Sequence, residues 1–168
     1  GKEDYFMSIQ KIFVVGAGLM GSGIAQNAIT TGYTVTLNDQ NMAALERAKA
    51  GIEKALNREV EKGRMAAEDC AAALARLSLD ATIESAKDAD LVIEAIYENL
   101  EAKQAVFKGL EDVCPAHTIF ASNTSSISIT AIAAATKRPD RFIGMHFFNP
   151  ATVMKLVEVI RGANTSDE

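Results

Sequence analysis

The feature that most constrains the fold of this 168-residue chain is a glycine-rich turn near its start. The turn covers residues 16–21 (GAGLMG) and follows the short apolar run of residues 12–15 (IFVV). A continuous apolar run of this length is typical of a strand that is buried on both faces. A helical pattern follows the turn as far as about Thr31. A glycine turn between a buried strand and a helix is typical of sites that bind a dinucleotide.

Each glycine of this turn has its own expected role. Gly16 permits the tight turn, Gly18 leaves room for the backbone to approach a pyrophosphate, and Gly21 lets the helix pack against the strand. Free N–H groups and the positive end of the helix dipole would then hold the anion. The alternative is a glycine-rich turn that binds nothing, and the strand–turn–helix context disfavours it.

An acidic residue, Asp39, lies 18 residues after Gly21, just beyond a second predicted strand at residues 34–37. A carboxylate at about this spacing accepts hydrogen bonds from the adenosine ribose, and it repels a 2′-phosphate. The pattern therefore predicts NAD, rather than NADP, as the cofactor. The alternative is an ordinary turn aspartate before Asn41, which we expect to cap the next helix.

The rest of the chain alternates between helix-like and strand-like patterns. Two helices follow Asn41 and end near Ala75, and we expect them to project from the domain as a hairpin. The alternation predicts an α/β fold, a doubly wound and mostly parallel sheet of the Rossmann type. The last two predicted strands, residues 142–147 and 154–160, lie too close in sequence for a helical crossover. We therefore expect them to pair as an antiparallel edge of the sheet. The later strands are predicted at residues 76–79, 91–95, 118–121, 142–147 and 154–160.

Composition argues against several classes of function. The net charge is −5 and no cluster of Lys and Arg is present, which argues against nucleic acid as a partner. No apolar run is long enough to cross a membrane. The two cysteines lack CxxC spacing, which fits thiols in a reducing compartment, and we expect no metal site. We expect one dinucleotide-binding domain over residues 7–168, with residues 1–6 as an artificial remnant.

His146 is the candidate for proton transfer. It ends a predicted strand on the side where ligands bind in open parallel sheets, and a histidine can take a proton from an alcohol as a hydride leaves its carbon. Glu158 lies on the next predicted strand, where a hairpin would bring it close enough to orient the imidazole. The spacing fits a solvent-facing Glu158 equally well, and a lone histidine in an apolar run is usually structural.

A polar run at residues 122–126 (SNTSS) follows another predicted strand. Its hydroxyl groups could hold a substrate oxygen or the nicotinamide ribose. From the residues alone, a polar loop that caps the next helix is the favoured interpretation.

Several segments together resemble the 3-hydroxyacyl-CoA dehydrogenase family, with short-chain bacterial 3-hydroxybutyryl-CoA dehydrogenases nearest. The resemblance covers about residues 10–162. The segments are GAGLMGSGIAQ, DLVIEAIYEN, FASNTSSISIT, and GMHFFNP with MKLVEVI.

This resemblance implies NAD-dependent, reversible oxidation of an L-3-hydroxyacyl-CoA thioester to the 3-oxoacyl-CoA. It implies His146 as general base, Glu158 as its orienting partner, and Ser125 and Asn149 at the substrate oxygens. The residues alone would leave Glu98 and Lys103 as first-turn helix residues, but the resemblance places both at the cofactor. The cofactor-binding residues implied by the motif and the resemblance are Gly16, Gly18, Leu19, Met20, Gly21, Asp39, Gln40, Ala95, Glu98, Lys103, Asn123, Ser125 and Asn149.

The sequence departs from the family pattern in two respects. Thr152 stands where a proline is usual, and the chain stops at Glu168, before the all-helical domain that closes the acyl-CoA cleft in the family. We therefore expect this chain to bind NAD with weak or no turnover. We expect the whole enzyme to be a homo-oligomer formed through the absent domain, in the bacterial cytoplasm rather than a mitochondrial matrix.

Two other functions stay open. One is a non-catalytic NAD-binding or structural protein, since a lens crystallin resembles this family. The other is a dehydrogenase that acts on a small hydroxy acid.

Overall fold

A six-stranded sheet forms the centre of the molecule. The structure is a computed structural model that describes residues 9–124, 126–145 and 150–166. Every pair of neighbouring strands is parallel, and the strand order is β3-β2-β1-β4-β5-β6. This order is that of a dinucleotide-binding Rossmann sheet, so the predicted fold class is confirmed. The strands are β1 (Lys11–Val15), β2 (Thr34–Asn38), β3 (Leu77–Asp80), β4 (Leu91–Glu94), β5 (Ile119–Asn123) and β6 (Phe142–Met145).

Helices cover both faces of this sheet. Successive side chains of β1 point to opposite faces, so Ile12 and Val14 belong to one buried cluster while Phe13 and Val15 belong to another. None of the helices among the described residues combines the length and apolar character that a membrane crossing requires. The helices are α1 (Leu19–Thr31), α2 (Met42–Glu61), α3 (Ala67–Ala75), α4 (Leu100–Val113), α5 (Ser126–Ala134) and α6 (Pro150–Ser166), with short 3₁₀ helices at Glu84–Asp88 and Pro139–Arg141.

Three helix ends have well-defined caps, of which the one at Asn41 confirms the prediction from the sequence. Gly32 follows α1 with a φ of 118°, a left-handed conformation that glycine adopts without strain. The side chain of Asn41 accepts a hydrogen bond from the N–H of Ala44 at the start of α2. Asn99 caps α4 in the same way, by accepting from the N–H of Ala102.

Helices α2 and α3 pack on each other as the predicted hairpin. Its base belongs to the core, because Leu45, Ile52 and Ala73 are buried in the same cluster as α1 and β2. No side chain between residues 57 and 69 is buried. The far end of the hairpin therefore extends beyond the sheet.

The C-terminal segment differs from its prediction. Residues 154–160 do not form a strand, since they lie within helix α6. Strand β6 pairs in parallel with β5, so the predicted antiparallel edge is also wrong. The reason is that a short apolar run fits both periods. In the folded chain, Val153, Val157 and Ile160 are buried at helical spacing, and α6 packs against α1.

The parallel arrangement gives the sheet two chemically different ends. At one end, which we call the carboxyl edge, all six strands end; at the other, the amino edge, all six begin. In open parallel sheets, ligands bind beyond the carboxyl ends of the strands. The carboxyl edge is therefore where a site is expected.

Candidate cofactor-binding and catalytic site

The glycine turn lies at the carboxyl edge between β1 and α1. Gly16 has a φ of 108°, which L side chains rarely adopt. A Cβ added to Gly16 would also lie 2.7 Å from the carbonyl oxygen of Ala95. The N–H of Gly16 donates to the carbonyl of Asn38 at 2.8 Å. Gly16 therefore holds the turn against the ends of β2 and β4, as the motif predicts.

The other two glycines differ from each other in their surroundings. A Cβ on Gly21 would lie 1.7 Å from the carbonyl oxygen of Gly16, so α1 can approach the turn only without a side chain there. For Gly18, no described atom lies within 4 Å of the added Cβ. The space in front of Gly18 is open, which is what the close approach of a pyrophosphate requires.

The start of α1 leaves its positive end available to an anion. Gly18 is the N-cap, no side chain of the described residues caps the helix, and its first turn holds no acidic residue. Leu19 is 95% exposed in this first turn, whereas Met20 is half-buried and packs against the core. Uncapped N–H groups and the helix dipole together favour a bound phosphate.

Asp39 connects the glycine turn to the next helix. One oxygen of its carboxylate accepts the N–H of Ala17 at 3.0 Å, and the other accepts the N–H of Asn41 at 2.9 Å. The bond from Asn41 is the local contact expected of a turn aspartate, whereas a contact between Asp39 and the adenosine ribose stays a prediction. Because a carboxylate has about four acceptor positions, Asp39 retains capacity for ribose hydroxyl groups.

A cleft of about 870 Å³ lies beside the turn at the carboxyl edge. Of the predicted cofactor residues, Gly16, Gly18, Asp39, Gln40 and Ala95 line it. Its volume falls within the range of ligand sites. The apolar residues Ile83 and Val106 also line the cleft. The sequence did not reveal this role, because neither residue belongs to a recognisable motif. Ile96 lines the cleft as well.

The ends of β4 and β5 hold a buried charged cluster. Lys103 and Glu94 form an ion pair of 2.7 Å, and neither side chain has exposed area. Lys103 also donates to the carbonyl of Asn123 at 2.7 Å, and its ammonium lies 3.6 Å from the half-exposed Glu98. A direct contact between Lys103 and a cofactor stays a prediction, since its side chain lies beneath the surface of the cleft.

Glu94 is a functional candidate that the sequence analysis missed. Besides Lys103, its carboxylate accepts hydrogen bonds from the hydroxyl of Ser122 and from the N–H of Ile96. The available signal was a glutamate at the end of the apolar run LVIE. A charged residue in such a run is expected to be buried and therefore to need a partner.

The predicted catalytic residues Ser125, His146 and Asn149 lie outside the described residues. The structure does describe the residues that precede the first two. Thr124 follows β5, Met145 ends β6, and the N–H of Thr124 donates to the carbonyl of Met145 at 3.3 Å. The chain positions that lead to Ser125 and His146 are therefore adjacent at the carboxyl edge.

Glu158 does not lie on a strand beside β6. It lies on α6 and accepts a hydrogen bond of 2.6 Å from the hydroxyl of Tyr33. Burial and this bond to Glu158 together raise the pKa of Tyr33 above 10.0, against the opposing effect of Arg161. Tyr33 immediately precedes β2, so Glu158 is held towards the amino edge. The predicted hairpin that would pair the segments of His146 and Glu158 is therefore wrong. A contact between their side chains stays a prediction, because His146 lies outside the described residues.

The site fits NAD by its own geometry. The open space at Gly18 and the uncapped start of α1 suit a pyrophosphate, and Asp39 offers carboxylate oxygens to a ribose. The described residues contain no group of three or more side chains suited to a metal ion. Fold and site together define a dinucleotide-binding domain of the Rossmann class.

Comparison with known proteins agrees with this assignment. The family described as 3-hydroxyacyl-CoA dehydrogenase, NAD binding domain, matches residues 11–168. The chain therefore belongs to the 3-hydroxyacyl-CoA dehydrogenase family, of which it represents the NAD-binding domain.

Individual relatives show the same relationship. A probable 3-hydroxybutyryl-CoA dehydrogenase of Bacillus subtilis is 53% identical over 96% of this chain and 56% of its own length. The human mitochondrial hydroxyacyl-coenzyme A dehydrogenase is 49% identical over 95% of this chain and 53% of its own length. The crystal structure of a 3-hydroxybutyryl-CoA dehydrogenase from Escherichia coli is 50% identical, with a TM-score of 0.81 over 86% of this chain and 31% of that chain. The chain thus spans about half the length of the curated relatives named here.

Proposed function

We propose that this chain is the cofactor-binding half of an enzyme that oxidises L-3-hydroxyacyl-CoA thioesters reversibly to 3-oxoacyl-CoA thioesters, with 3-hydroxybutyryl-CoA as the favoured substrate. The observation that carries the proposal is the position of the glycine turn and Asp39 at the same edge of the sheet where β5 and β6 lead to Ser125 and His146. The names of the relatives from Bacillus subtilis and Escherichia coli support the choice of substrate.

Bound NAD supplies the hydride acceptor for this reaction. The protein supplies the proton acceptor, for which we propose His146: its imidazole takes the proton of the substrate hydroxyl group as the C–H bond at the same carbon breaks. Ser125 and Asn149 donate hydrogen bonds to the substrate oxygens, which stabilises negative charge on the oxygen as the carbonyl forms.

Glu158 enters this proposal under a structural condition. A carboxylate that accepts from an imidazole N–H fixes the tautomer and stabilises the imidazolium. Glu158 is bonded to Tyr33, so we propose that it would exchange this bond for one with His146 in order to perform this role. Turnover that is unaffected by Glu158→Gln would remove Glu158 from the catalytic set.

The isolated chain is expected to bind NAD and to turn over weakly or not at all. Orientation of substrate against cofactor contributes several kcal/mol, on the order of 7–11 in favourable cases, to the lowering of a barrier. The relatives extend well beyond the matched region, since the chain covers only 53–56% of their length. We propose that the remaining part of such proteins encloses the acyl-CoA and completes the assembly.

The test is an absorbance assay at 340 nm with NADH and acetoacetyl-CoA. The matched pair of variants is His146→Gln and His117→Gln, because His117 is the only other histidine and lies at the amino edge. Loss of absorbance that disappears in His146→Gln and persists in His117→Gln supports the proposal. Equal rates in His146→Gln and the parent chain would contradict the role of His146.

Binding of NADH without turnover would identify the chain as a cofactor-binding half whose chemistry needs the rest of the protein. The same assay with free acetoacetate in place of its CoA ester separates a thioester enzyme from one that acts on small hydroxy acids.

A further inference from the structure

The cluster beneath the cofactor cleft joins parts of the carboxyl edge that are distant in sequence. Its centre is the ion pair between Glu94 at the end of β4 and Lys103 in the first turn of α4. We propose that this pair is a positioning device, which holds the ends of β5 and β6, and with them the residues that precede Ser125 and His146, in fixed register with the cofactor cleft. The inference rests on the proposed function for its catalytic meaning.

Both charged groups of the cluster have several partners within the protein. Both side chains have zero exposed area. Removing two charges from water costs more than an isolated pair usually returns, unless further hydrogen bonds satisfy the remaining groups. Here one oxygen of Glu94 accepts from Ser122, and the other accepts from Lys103 and from the N–H of Ile96. The cluster is therefore a connected unit rather than an isolated pair.

On the side of the cofactor cleft, the cluster holds the backbone that follows β4. Ile96 lines the cleft, and its N–H donates to Glu94 at 2.7 Å. The carbonyl oxygen of the preceding residue, Ala95, is the first atom that a Cβ on Gly16 would meet. Glu94 thus fixes the segment of backbone after β4 that lines the cleft beside the glycine turn.

On the side of the candidate catalytic residues, the cluster holds the end of β5. The ammonium of Lys103 donates to the carbonyl of Asn123, the last residue of β5. The next residue, Thr124, donates through its hydroxyl to Glu98 at 2.9 Å and through its N–H to the carbonyl of Met145. One buried cation is therefore connected, through Asn123 and Thr124, to both chain positions that precede the proposed catalytic groups.

A second ion pair in the same domain provides a matched control. Arg138 and Glu111 lie 2.6 Å apart, and their side chains are only 8% and 10% exposed. Arg138 also donates to the carbonyls of Pro115 and Thr118, at the start of β5. This pair is placed at the amino edge, so it contributes to stability without contact with the cleft.

The experiment compares Lys103→Met with Arg138→Met by hydrogen exchange of individual amides and by NADH titration of the whole chain. Lys103→Met should raise the exchange rate of the Thr124 amide by about tenfold or more beyond the change seen for amides of β1, because a bond from a charged donor is lost. Arg138→Met should raise exchange of both sets of amides in parallel. Glu94→Gln, which keeps the shape of the side chain but breaks the pair, should reproduce the local effect if Lys103→Met fails to fold.

Two results would overturn the proposal. One is a Thr124 exchange rate that changes only in parallel with β1 in Lys103→Met and in Glu94→Gln, since this is the behaviour of a purely structural pair. The other is a large loss of NADH affinity in Lys103→Met with no change at Thr124, which would make Lys103 a cofactor contact. Failure of the parent chain to bind NADH would refute the proposed function separately, because the exchange comparison does not depend on cofactor.

Discussion

The two edges of the sheet use the same interaction in different surroundings. At the carboxyl edge, Lys103 and Glu94 form an ion pair beneath an open cleft of about 870 Å³. At the amino edge, Arg138 and Glu111 form a similar pair, and the guanidinium also lies 4.4 Å from the centre of the Phe120 ring. One pair borders a space that can accept a ligand, whereas the other connects packed elements.

The two edges also differ in whether side chains accept hydrogen bonds from the backbone N–H groups there. At the amino edge, the carboxylate of Asp90 accepts the N–H groups of Gln10 and Lys11, so the start of β1 is closed by a side chain. At the carboxyl edge, α1 begins at Gly18 without a side-chain cap among the described residues. We therefore expect residues at the amino edge to determine the stability of the fold and residues at the carboxyl edge to determine ligand binding. Substitutions at each edge test this separation.

The largest expected effect is at the amino edge. Arg138→Met leaves Glu111 buried without its cation, and breaking a buried pair in this way costs about 3–5 kcal/mol of the free energy of unfolding. Urea denaturation should show this loss, while the NADH dissociation constant of the folded variant stays unchanged. Arg141→Met is the control, because Arg141 is exposed and should alter stability by less than about 0.5 kcal/mol. A weakened affinity for NADH in Arg138→Met would break the separation.

The next effect is at the glycine turn. In Gly21→Ala the new methyl group would lie 1.7 Å from the carbonyl oxygen of Gly16, so the turn or α1 must shift. We expect a loss of about 1–3 kcal/mol in unfolding free energy, together with a marked loss of NADH affinity because the turn itself moves.

Gly51→Ala is the control for this substitution. Gly51 is an exposed residue within α2, and no described atom lies within 4 Å of its added Cβ. Alanine should therefore stabilise the protein by about 0.5–1 kcal/mol, without the displacement of the turn that Gly21→Ala causes. Normal NADH affinity in Gly21→Ala would contradict the assigned role of the turn.

The smallest effect is a dependence on pH at the amino edge. Burial alone would raise the pKa of Glu111, but hydrogen bonds from Arg138 and from the N–H of Lys137 outweigh it and hold the pKa below the ordinary value of 4.5. A carboxyl whose pKa is lowered on folding stabilises the protein above its unfolded pKa, and this contribution is lost as the pH falls through the folded pKa. The difference in urea midpoint between the parent chain and Glu111→Gln should therefore be full at pH 7 and shrink below about pH 4. A constant difference would contradict this assignment.

The conformation of the glycine turn and the helix caps could be predicted because their signals are local. The requirement for glycine at residues 16 and 21 comes from contacts within the turn and with the neighbouring strand end. The caps at Asn41 and Asn99 come from bonds three residues along the chain. Such short-range requirements are visible in the order of residues.

The C-terminal segment could not be predicted in this way, because its structure depends on a distant partner. Residues 154–160 fit a strand or a helix equally well, and packing against α1 decides between them. Pro150 begins α6, and its Cγ lies 2.4 Å from where a Cβ of Gly23 would be. That contact joins residues far apart in sequence, so no local pattern shows it. The partners of Glu94 are non-local for the same reason.

The most direct test of the central claim, that the carboxyl edge binds NAD through the glycine turn, is an NADH titration of Gly18→Ala. Gly18 has an extended conformation that any residue can adopt, with φ at −75° and ψ at −166°, and its added Cβ meets no described atom. The variant should therefore keep the melting temperature of the parent chain. Its affinity for NADH should fall by about tenfold or more, because the methyl group occupies space needed by the pyrophosphate. Unchanged affinity at unchanged stability would show that the dinucleotide binds elsewhere.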